Sequence, residues 1–202
     1  MNELRAHFEV LAGRWDAFQP PDRGQRLRHL LVPFGPLLST SGAILEVGTG
    51  TGALIPCLRE SAPGAGVVSI DLAGEMLRRA RQRCPDVAMV QADAHRLPFV
   101  VPGFDLVVCH NSFPHFADKP GALLSLARVL RLGGYLLILH DLSRERVNTI
   151  HGSGGKAIQN DLLPPGEETK HMLLQAGFSD VQVDDTDEHY VVSGRRSAKA
   201  PS

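Results

Sequence analysis

The chain has no apolar run long enough to span a bilayer, and Met1 to Val10 lacks the charged-then-apolar order of a secretory leader. Cysteine is scarce. Cys57, Cys84 and Cys109 are odd in number and far apart, so they form neither a zinc-binding pair nor a disulfide framework. No block of Lys and Arg occurs and the formal net charge is −1, which disfavours an extended nucleic-acid surface, although a local basic patch is compatible with a neutral total. No internal repeat is visible. These absences lead to the expectation of a cytoplasmic protein with no membrane insertion and no nucleic-acid partner.

What is present is an ordinary globular composition: 202 residues, 43% apolar and 21% charged, enough for one domain with one sizeable core. The most informative stretch is Leu45-Glu46-Val47-Gly48-Thr49-Gly50-Thr51-Gly52. An apolar run ends there and a helical pattern begins. Alternating glycines leave a backbone with little side-chain bulk, against which a ligand can lie directly. A second strand-like run, Val67 to Ile70, ends in Asp71. This pairing predicts a site for a nucleoside-bearing cofactor at the open edge of a parallel sheet.

The remaining pattern supports such a sheet. Strands are expected over Ala43 to Val47, Val67 to Ile70, Val87 to Gln91, Phe104 to Cys109 and Tyr135 to Leu139. Helices are expected over Ala53 to Glu60, Glu75 to Arg83, and from an Asp118 cap to Leu130, with Leu132-Gly133-Gly134 ending the last. Strand–helix alternation with continuous apolar strands implies a parallel sheet covered on both faces. Residues 1–40 read as an N-terminal helical lid broken at Pro20-Pro21 and at Pro33 and Pro36, residues 41–142 as the cofactor-binding core, and 143–166 as an irregular insertion over the acceptor. Residues 167–194 read as a helix and a β-hairpin (Val181 to Val183, His189 to Val192), and Arg195 to Ser202 as a frayed tail.

The stretch Gly48 to Ala53 also satisfies a dinucleotide fingerprint, so a nicotinamide-dependent oxidoreductase is a competing reading, as is a non-catalytic cofactor-binding protein. Against the dinucleotide, Glu46 would repel a pyrophosphate but suits a cationic amino-acid ligand and its turn. The last glycine also falls one residue early. Asp93, after the third strand, is placed to accept from an adenine amino group.

Glu46 to Gly52, Asp71, Asp93-Ala94, Phe104-Asp105-Leu106-Val107 and Leu130 to Gly134 follow the order and spacing of the class I S-adenosylmethionine-dependent methyltransferases, and the chain resembles their small-molecule branch that includes the ubiquinone/menaquinone C-methyltransferases. The resemblance covers roughly residues 40–141. It implies an α/β, Rossmann-like sheet of seven strands, the last antiparallel (His189 to Val192, inserted beside Val181 to Val183), and S-adenosylmethionine as cofactor. It further implies that Glu46 and the backbone of Gly48, Thr49, Gly50 and Gly52 hold the methionine part. Asp71 would take the ribose hydroxyls, Leu72 and Met76 pack on the adenine, Asp93 and Ala94 meet its edge, and Asn111 lie along the methionine and face the acceptor. Ala73 stands where relatives often have Ser or Thr, which leaves a helix without its usual cap.

Methyl transfer from a sulfonium needs alignment and dryness, and a base only where the acceptor must lose a proton. Histidines collect at the expected carboxyl edge of the sheet. His115, and next His140, are candidate bases; His115, His140, Asp141 and His151 are a candidate metal set, though without a recognised spacing. All four are also compatible with ordinary loop residues. Asn111-Ser112-Phe113-Pro114 resembles the motif of amino-directed DNA methyltransferases but lacks its first proline and a target-recognition domain, so that reading is rejected. Phe8, Trp15 and Phe18 read as a lid, and the Arg78-Arg79, Arg81, Arg83 cluster as a solvated helix face. The acceptor is expected to be a small molecule, and a homodimer is compatible with the scaffold.

Overall fold

The structure, a computed structural model, describes residues 3–198. Seven strands form one sheet in the order β3-β2-β1-β4-β5-β7-β6. They are β1 (Ala43–Val47), β2 (Gly66–Asp71), β3 (Ala88–Gln91), β4 (Phe104–His110), β5 (Leu130–His140), β6 (Phe178–Asp185) and β7 (Tyr190–Arg196). β1 through β5 pair in parallel; β7 is antiparallel to both β5 and β6, so it is the inserted strand. Among the described residues, eight α-helices accompany the sheet: α1 (Glu3–Leu11), α2 (Arg23–Leu31), α3 (Gly35–Thr40), α4 (Ile55–Ser61), α5 (Gly74–Arg83), α6 (Lys119–Val129), α7 (Arg144–Ser153) and α8 (Gly166–Gln175).

β1, β4 and β5 lie centrally with side chains buried on both faces, which is why they read as continuous apolar runs. One face packs Leu45, Val107, Leu136 and Ile138 against the apolar side of α6; the other packs Ile44, Leu106, Leu137 and Leu139 with Leu27, Leu31 and Leu58 from α2 and α4. Asp118 caps α6, its Oδ1 accepting from Gly121 N at 3.0 Å, and Pro120 sits in the first turn where no N–H is needed.

Among the boundaries that differ from the sequence reading, three change how a segment is understood. Leu132-Gly133-Gly134 does not end α6, which stops at Val129; it lies inside β5, where the register with β4 shifts between Phe104 and Leu106. A Gly-Gly pair serves a strand bulge as well as a helix stop, and local sequence does not separate the two. Arg195 and Arg196 belong to β7 rather than to a frayed tail, and residues 199–202 lie outside the described residues. The N-terminal region also divides. α2 buries Leu27, Leu30 and Leu31 in the core, whereas α1 has no buried residue and leans on α5. Glu9 of α1 accepts from Gly74 N at 2.9 Å and Glu75 N at 2.7 Å. These bonds supply the cap that Ala73 cannot, and, led by the Glu75 N–H, they lower the Glu9 carboxyl pKa.

Candidate active site

The turn after β1 is built for close approach. Gly48 N and Thr49 N both donate to Ile70 O, at 2.9 and 3.0 Å, tying the turn to β2. A Cβ on Gly48 would lie 2.4 Å from Ser112 Cβ, and one on Gly52 3.1 Å from Ala80 Cβ, and both glycines hold positive φ. Only glycine meets both demands. Glu46 is 2% exposed, and its Oε2 accepts from Thr49 Oγ1 and Ser69 Oγ, each at 2.7 Å. Burial raises its carboxyl pKa despite those two bonds. Glu46 therefore braces the turn from beneath.

Above the turn lies a cavity of about 210 Å³ at the carboxyl edge of the strands. Of the residues singled out from sequence, Gly48, Gly50, Asp71, Leu72, Met76, Asp93, Ala94, Asn111 and His115 line it. Glu46, Thr49, Gly52 and His140 are not among the lining residues. The first three lie behind the turn and shape it. Asp71 is 8% exposed; Oδ2 accepts from Gly50 N at 2.8 Å and Oδ1 from Ala73 N at 2.9 Å. Each oxygen keeps a lone pair for a further donor. Burial raises this carboxyl, opposed by the backbone donors. Asp93 Oδ1 accepts from His95 N at 2.9 Å and His95 Nδ1 at 2.6 Å; burial alone would raise its pKa, and the His95 bonds outweigh that to lower it. Leu72 and Met76 give the wall its apolar plates, and Phe8 and Trp15 reach it from the N-terminal region, while Phe18 stays exposed. Bare backbone, a twice-anchored carboxylate with spare acceptors and flanking apolar side chains fit an adenosine with an amino-acid tail.

Asn111 sits at φ 52°, a left-handed conformation that asparagine tolerates better than most residues. Its Nδ2 donates to Asp141 Oδ1 at 2.7 Å, and its N–H to Leu139 O at 2.9 Å. Asp141 also lies 3.4 Å from His110 Nε2. Burial would raise the Asp141 carboxyl, but His110 and the Asn111 amide hold it well below the ordinary range.

The histidines separate. His115 lines the cavity, its Nδ1 2.8 Å from Asp161 Oδ2. Because a carboxylate only accepts, Nδ1 carries the proton and Nε2 keeps its lone pair. Burial lowers the His115 pKa, and Asp161 partly restores it. The His151 ring stacks beside His115 at 4.8 Å, with Nδ1 on Asp161 O. His140 is 1% exposed, edge-on to Tyr190, the residue opposite it on β7, and burial drives its pKa far down. Its expected role as a second base is corrected: the strand turns its ring into protein. The four candidate metal ligands do not assemble into a site. Among the described residues no three His, Cys, Asp or Glu side chains are grouped to hold a metal, and His115 and His151 are bonded to Asp161 while His140 packs on Tyr190.

Sequence reasoning missed Asp161, Ser112 and His95. Asp161 lies 46 positions from His115 in a segment without periodicity, so nothing local marks it. Ser112 donates to Val47 O at 2.7 Å, joining the β1 and β4 ends. His95 was legible only as the neighbour of Asp93.

Residues 45–138 match the family model described as a methyltransferase domain. A malonyl-[acyl-carrier protein] O-methyltransferase of Geobacter sulfurreducens is 32% identical over 198 residues, covering 92% of this chain and 73% of that protein. The chain belongs to the class I S-adenosylmethionine-dependent methyltransferases. A demethylmenaquinone methyltransferase of Thermus thermophilus is 46% identical to this chain over 100 residues, 48% of this chain and 46% of that one. The aligned part thus spans under half the length of the first demethylmenaquinone methyltransferases matched. The fold is shared with the crystal structure of a SAM-dependent methyltransferase from Thermotoga maritima, at TM-score 0.75 and 19% identity, over 96% of this chain and 100% of that one.

Proposed function

We propose that this methyltransferase transfers a methyl group from S-adenosylmethionine to a small-molecule acceptor by in-line displacement. The observation that carries the reading is the cavity in which Gly48, Gly50, Asp71, Met76, Asp93 and Asn111 converge at the carboxyl edge of the sheet. S-adenosylmethionine supplies a methyl group on a positively charged sulfur. The chain supplies binding, orientation and dryness. The spare lone pairs of Asp71 accept from the ribose hydroxyls, Asp93 faces the adenine edge, Leu72 and Met76 flank the base, and Asn111 is fixed by Asp141 beside the methionine tail. Phe8 and Trp15 close the apolar side and keep water out.

His115 is the base for an acceptor that must lose a proton. Asp161 holds Nδ1–H, so Nε2 is free to accept that proton; Asp161 orients the ring and is a positioning residue. Lys119 secures the turn that carries His115, its Nζ donating to Pro114 O at 3.0 Å and Phe116 O at 3.2 Å. The names of the relatives, a demethylmenaquinone methyltransferase and a malonyl-[acyl-carrier protein] O-methyltransferase, support a small-molecule acceptor.

Calorimetry with S-adenosylmethionine, S-adenosylhomocysteine and NADH tests the cofactor: the two sulfur nucleosides bind and NADH does not. Binding of NADH alone overturns the reading. Incubation with methyl-labelled donor and a small-metabolite extract then identifies the acceptor by the label it gains. Binding without transfer to any acceptor would favour an accessory role.

A further inference from the structure

The short 3-10 turn Trp15–Phe18 has no buried residue, and its backbone hydrogen bonds are all local. Trp15 nevertheless reaches the cavity. It lines the wall, its Nε1 lies 3.7 Å from the place of a Cβ on Gly50, and its ring meets Phe8 edge-on at 5.9 Å. With Ala12, Ala73 and Met76 the two rings form a small cluster apart from the main core. Few buried apolar contacts and only local backbone bonds mark a segment of low local stability. A polar group has to fix where such a segment lies.

Asp16 is that group. Its Oδ1 accepts from Thr51 Oγ1 at 2.6 Å, its Oδ2 accepts from Arg83 at 2.8 Å, and the Arg23 guanidinium stands 3.7 Å away. Among the described residues, no other side chain from 13 to 19 is bonded outside that stretch. The Asp16 side chain is 48% exposed, so its ion pairs with the two arginines contribute little. The bond to Thr51 is different. Thr51 is buried and belongs to the glycine turn itself, between Gly50 and Gly52. Resting on the cofactor reading above, we propose that Asp16 is the positioning residue that pins Trp15 over the glycine turn and so sets how long the cofactor stays bound.

The pin joins the covering segment to the element the ligand touches. A nucleoside seated between Gly50 and Met76 has Trp15 and Phe8 on one side, and the Thr51 bond holds that side in place. Glu9 fastens α1 to the start of α5, so Asp16 is the second attachment of the N-terminal segment, at the end nearer the glycines. Breaking it leaves the sheet and the core-packed α2 intact, because neither rests on a buried residue of the turn. It frees the Trp15 ring to leave the cavity wall. Trp15 is the only tryptophan in the chain, so tryptophan emission reports this one position.

Stopped-flow Trp15 emission against S-adenosylhomocysteine concentration gives the association rate from the slope and the dissociation rate from the intercept. The wild-type chain is compared with Asp16→Ala, Asp16→Asn, Thr51→Val and the double variant Asp16→Ala, Thr51→Val. Asp16→Ala is expected to raise the dissociation rate about 3–10-fold, the worth of one hydrogen bond, with the association rate nearly unchanged. Its emission without ligand shifts to the red as the ring meets water. Thr51→Val removes the same bond from the other side, so it acts in the same direction and the double variant adds little. Asp16→Asn keeps an acceptor for Thr51 and recovers part of the wild-type residence. An unchanged dissociation rate in Asp16→Ala and Thr51→Val overturns the proposal, even where Tm falls, because Asp16 is then merely structural. Fully additive effects in the double variant overturn it too, since the two residues would not act through one bond. Should Asp16→Ala fail to fold, Asp16→Asn and Thr51→Val decide. Binding seen by calorimetry with no change in wild-type emission shows that Trp15 does not cover the ligand, and also overturns it. No binding by calorimetry means that the cofactor reading itself has failed, an outcome distinct from the others.

Discussion

At the scale of single residues, the site works by giving each polar group two duties. Asp71 anchors Gly50 N and Ala73 N and keeps lone pairs for a ligand. Asp71→Ala is expected to weaken S-adenosylhomocysteine binding by about 2–3 kcal/mol, read by calorimetry, with the fold retained. Unchanged affinity would remove the ribose role. The position of Asp71 was legible because a carboxylate at the tip of β2 follows from the order of the motifs. Asp161 was not legible, because its partner His115 is distant in sequence and only the path of residues 154–165 brings them together. Asp161 raises the His115 pKa against burial, so Asp161→Asn should move the acid limb of the kcat/KM profile to lower pH. It should also lower the plateau, since the ring loses its fixed tautomer. A profile that keeps both its midpoint and its plateau would show that Asp161 does not act through His115.

Elements meet at the site through close backbone contacts. The turn after β1 touches the start of the segment after β4 at Gly48 and Ser112, and its last glycine, Gly52, approaches α5 at Ala80. Gly48→Ala should destabilise the fold by about 1–3 kcal/mol, from the clash and from the strained φ together. Because Ser112→Gly also removes the Ser112–Val47 bond, the comparison is made on that background: in denaturant melts Gly48→Ala should cost the Ser112→Gly chain less than it costs wild type, with the φ cost remaining. No loss at all on that background would mean that φ costs nothing there. The central strands were readable at this scale because burial on both faces leaves an uninterrupted apolar signature. The end of α6 was misread because Gly133 and Gly134 serve a bulge in β5. The N-terminal region was read as one lid, yet α2 is core and α1 is surface. Both carry leucines, and only packing shows which of them are covered.

For the whole molecule, stability and ligand binding are linked. S-adenosylhomocysteine at about 100 times its Kd should stabilise the chain by about 2.7 kcal/mol, which for a domain of this size raises Tm by about 5–10 °C; NADH should leave Tm unchanged. Buried histidines couple stability to pH. The folded pKa of His140 lies well below its ordinary value of about 6.5, so its contribution is full above that value and is lost as pH falls through the folded pKa. Between pH 7.5 and 5.5 the wild-type Tm should therefore drop further than that of His140→Leu. Parallel curves would show that His140 does not carry this dependence. Glu46 and Asp71, raised by burial, act in the opposite direction, their contribution being full at low pH and lost as pH rises. The sequence by itself determined the parallel core, the glycine turn and the acidic strand tips, because those features depend on periodicity and on local backbone chemistry. Only the tertiary structure decided which histidine faces the cavity, that Glu9 caps α5 and that Asp161 joins His115 at the cavity, because contacts between distant segments are set by how the chain packs and leave no mark in local sequence.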